Sequence, residues 1–244
     1  MNSIGGRAVH GEKAHPGIAA NKLHYNSAPD VFKNVFVFLL LISNQIIAQT
    51  SESWALKSSN DSVDIFTRDI KGSKIKALKV ECELEASLSQ LVAVLLDVKE
   101  SEKWLYHTSS IYIVKQVSQS EFYYYSKVEL PWPLSNRDFI AHLKVSQNAL
   151  TKVITIDAPC VQDMVPVDPK TVRISNSNGK WIISPAGINK VKVVYTLHTD
   201  PGGSIPAWLI NSFMTQGPTQ SFKKLKVHVQ KPVYKNAKLS YIVN

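Results

Sequence analysis

Acid–base catalysis needs His, Asp, Glu or Tyr held away from water with shifted proton affinities, so the search for chemistry begins at the titratable residues. His142 stands between Ala141 and Leu143, and His198 follows Leu197. The two-residue alternation of these stretches puts both imidazoles on the face opposite the apolar one. His107 falls in a connection between a helix and a strand, and a surface or packing role is expected for all three. Ser-His-Asp order, a P-loop and a dinucleotide fingerprint are absent, which leaves no catalytic residue to nominate and no cofactor. Cys82 and Cys160 lack the CxxC or Cys/His spacing of a zinc site, so no metal centre is expected and the two read as free thiols. Cys82 shares an apolar face with Leu78, Val80 and Leu84, as a small buried hydrophobe would. Cys160 is placed in the connection from Pro159 to Pro169. Arg137 and Asp138 lie in a Pro-rich loop and admit two readings. The guanidinium either orients a ligand head group through charge-assisted bonds or fixes the loop through backbone carbonyls.

The elements that must position these groups are legible from periodicity. Strand-like alternation runs over 63–68 and 76–84 across a Lys71-Gly72-Ser73 turn. Ser87 is the expected cap of a helix with the stripe Leu88, Leu91, Val92, Leu95 and Leu96. Strand-like runs follow at 111–117, 121–130, 139–147, 151–158, 171–176, 180–184 and 190–199, and their short connections imply antiparallel pairing. The final segment changes period: Ile210, Phe213, Met214, Phe222, Leu225 and Val229 keep helical spacing, with Ser204 as expected N-cap and Pro206 in the first turn. Gly217-Pro218 would normally end a helix, yet the step 214 to 218 to 222 keeps the apolar face. The spacing therefore predicts one long helix kinked at Pro218.

The chain has 244 residues with 44% hydrophobic content, enough for a real core. Its 28 Lys and Arg against 19 Asp and Glu give a net charge of +9, which favours anionic partners without choosing among them. Basic residues cluster near the C-terminus, and Lys223, Lys224 and Lys226 are the expected contacts with an anionic membrane surface. Aromatics are not interleaved with these lysines, so nucleic-acid binding is not expected. Residues 1–30 show no apolar period and read as unstructured. Lys33, the apolar run Val35–Ile42 and Ala48 then have the layout of a secretory signal peptide. That run is far short of the roughly 20 residues needed for a membrane-spanning helix. The expectation is an exported, periplasmic or secreted protein, cleaved near Ala48, with translation beginning at Val31 so that residues 1–30 are not translated.

Four segments resemble the START domain, the lipid-transfer module of the helix-grip superfamily. They are Asp97 through Trp104; Pro131-Trp132-Pro133-Leu134-Ser135-Asn136-Arg137-Asp138-Phe139; Asp200-Pro201-Gly202-Gly203; and Ile205-Pro206-Ala207-Trp208-Leu209-Ile210-Asn211. With the succession of strands and helices, the resemblance covers residues 52–231 of a domain set at 49–244. It implies an α+β helix-grip fold in which a curved antiparallel sheet wraps around a long C-terminal helix and encloses one hydrophobic ligand.

On that implied fold, alternation proposes the cavity wall: Phe122, Tyr124 and Val128; Phe139, Ala141, Leu143 and Val145; and Val191, Val193, Tyr195 and Leu197, with Arg137 at the loop. Ile210, Phe213 and Met214 would face the wall from the helix. Steroid-carrying relatives place an arginine six residues after the arginine of the R-D motif, where this chain has Leu143. A ligand held by apolar contact and tyrosine hydroxyls is therefore more consistent than one held by a buried ion pair. The expected function is non-catalytic binding, extending to transfer, of a lipid or similar hydrophobic molecule by a monomer. The alternative is an enzyme of the polyketide cyclase or aromatase type using the same cavity.

Overall fold

The computed structural model describes residues 53–244. The leader, the signal-peptide layout and the start at Val31 lie outside the described residues.

Strands β1 (Ala55–Asn60), β2 (Val63–Arg68) and β3 (Ala77–Glu85) form an antiparallel meander. Helices α1 (Leu88–Leu96) and α2 (Val98–Ser101) follow, then β4 (Thr108–Ser118), β5 (Glu121–Val128), β6 (Asn136–Gln147), β7 (Ile154–Val161), β8 (Thr171–Arg173), β9 (Asn176–Pro185) and β10 (Lys190–Asp200). The chain closes with α3 (Ala207–His228) and α4 (Pro232–Lys235). Nine strands lie in the order β1-β2-β3-β10-β9-β7-β6-β5-β4, and β8 pairs parallel with the start of β6, where β7 has left it. The sheet is curved, and α3 lies against its concave face.

Alternation explains the strands. In β2 every second residue, Val63, Ile65 and Thr67, is buried, and in β3 so are Leu78, Val80, Cys82 and Leu84. β1 was not evident from sequence because all but one of its residues are exposed and it carries no apolar period. Ser87 caps α1 in a capping box: its Oγ accepts the Gln90 N–H at 3.1 Å while Gln90 Oε1 accepts the Ser87 N–H at 3.4 Å. Gln90 Nε2 then donates to the Val229 carbonyl at 2.7 Å, tying α1 to the end of α3.

Helix α3 is a single helix that passes through Pro218. Thr219 Oγ1 donates to the Thr215 carbonyl at 2.7 Å beside the position where proline removes the bond to the Met214 carbonyl. The helix begins at Ala207 with Pro206 in the cap position and no side-chain cap, so Ser204 is not the N-cap. The Pro206 carbonyl instead receives the N–H groups of Leu209 and Ile210. Phe222, Leu225 and Val229 press the C-terminal half of α3 into the core.

Candidate ligand cavity

Between the sheet and α3 lies a cavity of about 410 Å³. The register that builds its wall also decides which side chains reach it. On β5, Phe122, Tyr124 and Val128 line it, as do Phe139 and Leu143 on β6 and Tyr195 and Leu197 on β10. From α3 come Ile210, Phe213 and Met214. Ala141 does not line it: paired with Tyr124 on one side and Cys160 on the other, its methyl is shorter than either neighbour and is buried behind them. Val145, Val191 and Val193 also fall outside the lining, in the packed core further along the sheet.

Several lining residues were missed in the sequence. Trp181 on β9 stacks on Phe222 of α3 with ring centroids 5.4 Å apart and lies 4.5 Å from Tyr195, so three aromatic rings join sheet to helix. Trp104, buried after α2, closes another wall. Cys160 lies in β7 and lines the cavity, contrary to its expected place in a loop. Ser177 and Thr199 join it. Extending the β10 alternation two residues past Leu197 would have found Thr199. Ser177 needed the true start of β9. Both cysteines are free, and burial pushes the Cys82 thiol up to about 12 and the Cys160 thiol upward as well.

Arg137 does not reach the cavity. Its guanidinium donates to the Ser135 carbonyl, to Pro201 O at 3.2 Å and to Gly202 O at 3.0 Å. Arg137 and Asp138 stand in β6 and not in the Pro-rich loop where the sequence placed them, and the end of that loop and the Asp200–Gly203 turn, remote in sequence, meet on one buried cation. Gly202 and Gly203 both have positive φ, and a Cβ on Gly203 would lie 3.2 Å from Arg137 Nη2, so glycine is required by conformation and by closeness. Asp138 makes a bidentate pair with Arg173, Nε to Oδ1 at 2.8 Å and Nη2 to Oδ2 at 3.0 Å, and Arg173 also donates to Val165 O and Pro166 O. Arg137 and Asp138 therefore organise the loops around the cavity mouth.

The mouth is lined by the exposed His107 and Glu129. The amide of Glu129 donates to the His107 carbonyl at 2.8 Å. His142 lies on the other face of the sheet, where Nε2 is 2.8 Å from Glu121 Oε1, and His198 does not line the cavity. Among the described residues, no lysine or arginine lines the cavity. Trp132 and Trp208 are 93% and 72% exposed, in the two segments that contribute Pro131, Leu134, Ile205 and Ile210 to the lining. The lysines expected at a membrane are partly engaged elsewhere. Lys223 Nζ is 2.7 Å from Asp61 Oδ2, and Lys226 Nζ donates to the Asp61 carbonyl at 2.6 Å, both at the β1–β2 turn. Lys224 makes no ion pair among the described residues.

Residues 39–235 match the family model of the START domain. The chain is 31% identical to an uncharacterized protein of Pseudomonas aeruginosa over 181 residues, covering 74% of this chain and 89% of that protein. It is 27% identical to the phosphatidylcholine transfer protein of Mus musculus, over 67% of this chain and 78% of that one. The crystal structure of a STAR-related lipid transfer protein from Xanthomonas axonopodis superimposes with a TM-score of 0.68 at 29% identity, over 73% of this chain and 99% of that one.

Proposed function

This chain belongs to the START-domain family, and we propose that it binds one lipid molecule in the cavity between sheet and α3 and carries it between membranes without changing it chemically. The observation that carries the reading is the cavity itself: about 410 Å³, walled mostly by aromatic and aliphatic side chains, with neither lysine nor arginine among the described residues of the wall. Ligand pockets commonly span ~300–1,000 Å³, so this one suits a single small lipid. Burying the hydrocarbon supplies about 25 cal/mol per Å² of apolar surface, an ample drive for binding without any specific contact. A non-catalytic role is favoured because His107 lies at the mouth and His142 on the far face of the sheet, neither placed for proton transfer inside the cavity. Relatives named for lipid transfer point the same way.

Membrane contact is proposed at the mouth, where the exposed Trp132 and Trp208 can sit at the headgroup level as interfacial tryptophans do. The free Lys224 adds attraction to an anionic surface. Export as a monomer with a mature start near Gln49 completes the proposal, and N-terminal sequencing of native protein tests it. A cytoplasmic species retaining Val35–Ile42 would contradict export.

The functional experiment follows a fluorescent lipid from donor to acceptor vesicles. Substoichiometric protein should accelerate transfer, and the pair Trp132→Ser and Trp208→Ser should slow it while leaving lipid binding in solution unchanged. Transfer at the spontaneous rate with wild-type protein would refute the carrier role.

A further inference from the structure

Among the polar groups that line the cavity, one band is assembled by the strand register. Thr199 on β10 pairs with Ser177 on β9, and Cys160 on β7 lies within hydrogen-bonding reach of Ser177. Across the buried Ala141, the same row ends at Tyr124 on β5. Tyr195 starts in a deeper row, opposite Trp181, but its hydroxyl leans back toward the band, coming within 3.5 Å of where a Cβ on Gly179 would stand. Four hydroxyls and a thiol from four strands therefore converge on one strip of the wall, one residue inward of the Asp200–Gly203 turn.

The phenol oxygens of Tyr124 and Tyr195 make no hydrogen bond to any described residue. Both tyrosines border the cavity, so a lipid that fills it displaces water from their hydroxyls, and a hydroxyl left unpaired beneath a ligand is costly; the band therefore marks a place where the ligand supplies the partner. What that partner can be follows from charge. The band contains no ionised group: burial raises the proton affinity of both tyrosines and of Cys160, so all remain neutral donors. With no cation in the wall, a phosphate or carboxylate drawn into the band would lose its water and gain no counter-charge. An ester carbonyl or an alcohol loses far less and recovers it from the hydroxyls.

We propose that Tyr124, Tyr195, Ser177, Thr199 and Cys160 form a polar subsite for an uncharged oxygen-bearing group, so that the ligand is a neutral lipid such as an acylglycerol or a long-chain alcohol, with its hydrocarbon running inward past Trp181 and Phe222. This rests on the lipid-binding reading and adds the class of lipid and its orientation.

The test uses the full purified chain and three probes with the same chain length: 1-monooleoylglycerol, oleate and 1-octadecene. Binding is followed by quenching of tryptophan fluorescence, since Trp181 and Trp104 line the cavity. Wild-type protein should bind monooleoylglycerol at least roughly tenfold more tightly than octadecene, the worth of one or two hydrogen bonds, and more tightly than oleate at neutral pH. The variant Tyr124→Phe with Tyr195→Phe keeps both rings, and should lose roughly tenfold for monooleoylglycerol while binding octadecene unchanged. If that double variant misfolds by circular dichroism, Ser177→Ala serves in its place with a smaller loss of the same selectivity. Equal wild-type affinity for monooleoylglycerol and octadecene, or tighter oleate binding, would overturn the subsite and leave lipid binding intact. Failure of all three probes to bind would overturn both.

Discussion

Replacing Met214 by glutamate tests the cavity through electrostatics. Met214 is buried, lines the cavity from α3 and stands one turn before Pro218. Glutamate nearly matches its length, so the change adds charge with little change in volume. In the unliganded protein the new carboxylate faces a space that water can enter, and its pKa stays near ~4.3. A bound lipid removes that water, and no lysine or arginine among the described residues lines the cavity to replace it. Burial without a counter-ion raises a carboxyl by ~3 units or more, to about 7.3 in the complex. The raised value belongs to the bound state, so binding favours the protonated form and must strengthen as pH falls. At pH 7 the linkage weakens binding by roughly 300-fold, or ~3.4 kcal/mol, and at pH 5 by only about sixfold. Met214→Leu, a volume-conserving change, should cost less than ~1.5 kcal/mol at either pH. Titration of a fluorescent lipid at both pH values, with folding checked by circular dichroism, reads all of this. A folded Met214→Glu variant with wild-type affinity at pH 7 would mean that Met214 is not covered by ligand.

Arg137→Met keeps the apolar stem but leaves the carbonyls of Ser135, Pro201 and Gly202 without their donor. It should cost about 2–3 kcal/mol and lower Tm by roughly 5–10 °C in thermal melts, while folded protein retains its wild-type complement of lipid. Leu225→Ala, at a fully buried position on α3, should destabilise by ~2–5 kcal/mol in urea unfolding, with a size set by how far the core collapses into the space. Because both thiols are shifted upward, neither Cys82 nor Cys160 should alkylate quickly at pH 8. Cys160 should react faster than Cys82 in delipidated protein and slow when lipid is restored, as mass spectrometry of the labelled peptides would record.

The sequence made the regular parts of this molecule readable wherever one face is wet and the other dry. The alternation of β2 and β3, the capping box at Ser87 and the apolar stripe through Pro218 all have that character. β1 escaped notice because it has no dry face. What alternation cannot separate is a cavity wall from a packed core. Val191 and Tyr195 stand on the same face of β10, yet Val191 is sealed in the core and Tyr195 borders open space. Arg137 was ambiguous for a related reason. Its three acceptors are backbone carbonyls, two of them more than sixty residues away, and carbonyls leave no mark in a side-chain pattern. The polar band was hidden because its members come from four strands whose mutual register is fixed only by the folded sheet.

Native mass spectrometry of the protein purified from its own cells, followed by extraction and identification of what it carries, bears most directly on the claim that the cavity holds one lipid. The expected spectrum shows a single hydrophobic passenger at one per chain, uncharged and chemically intact, and absent from Met214→Glu at pH 7. A protein that emerges empty from lipid-replete cells, or that returns a supplied passenger in altered form, would contradict it.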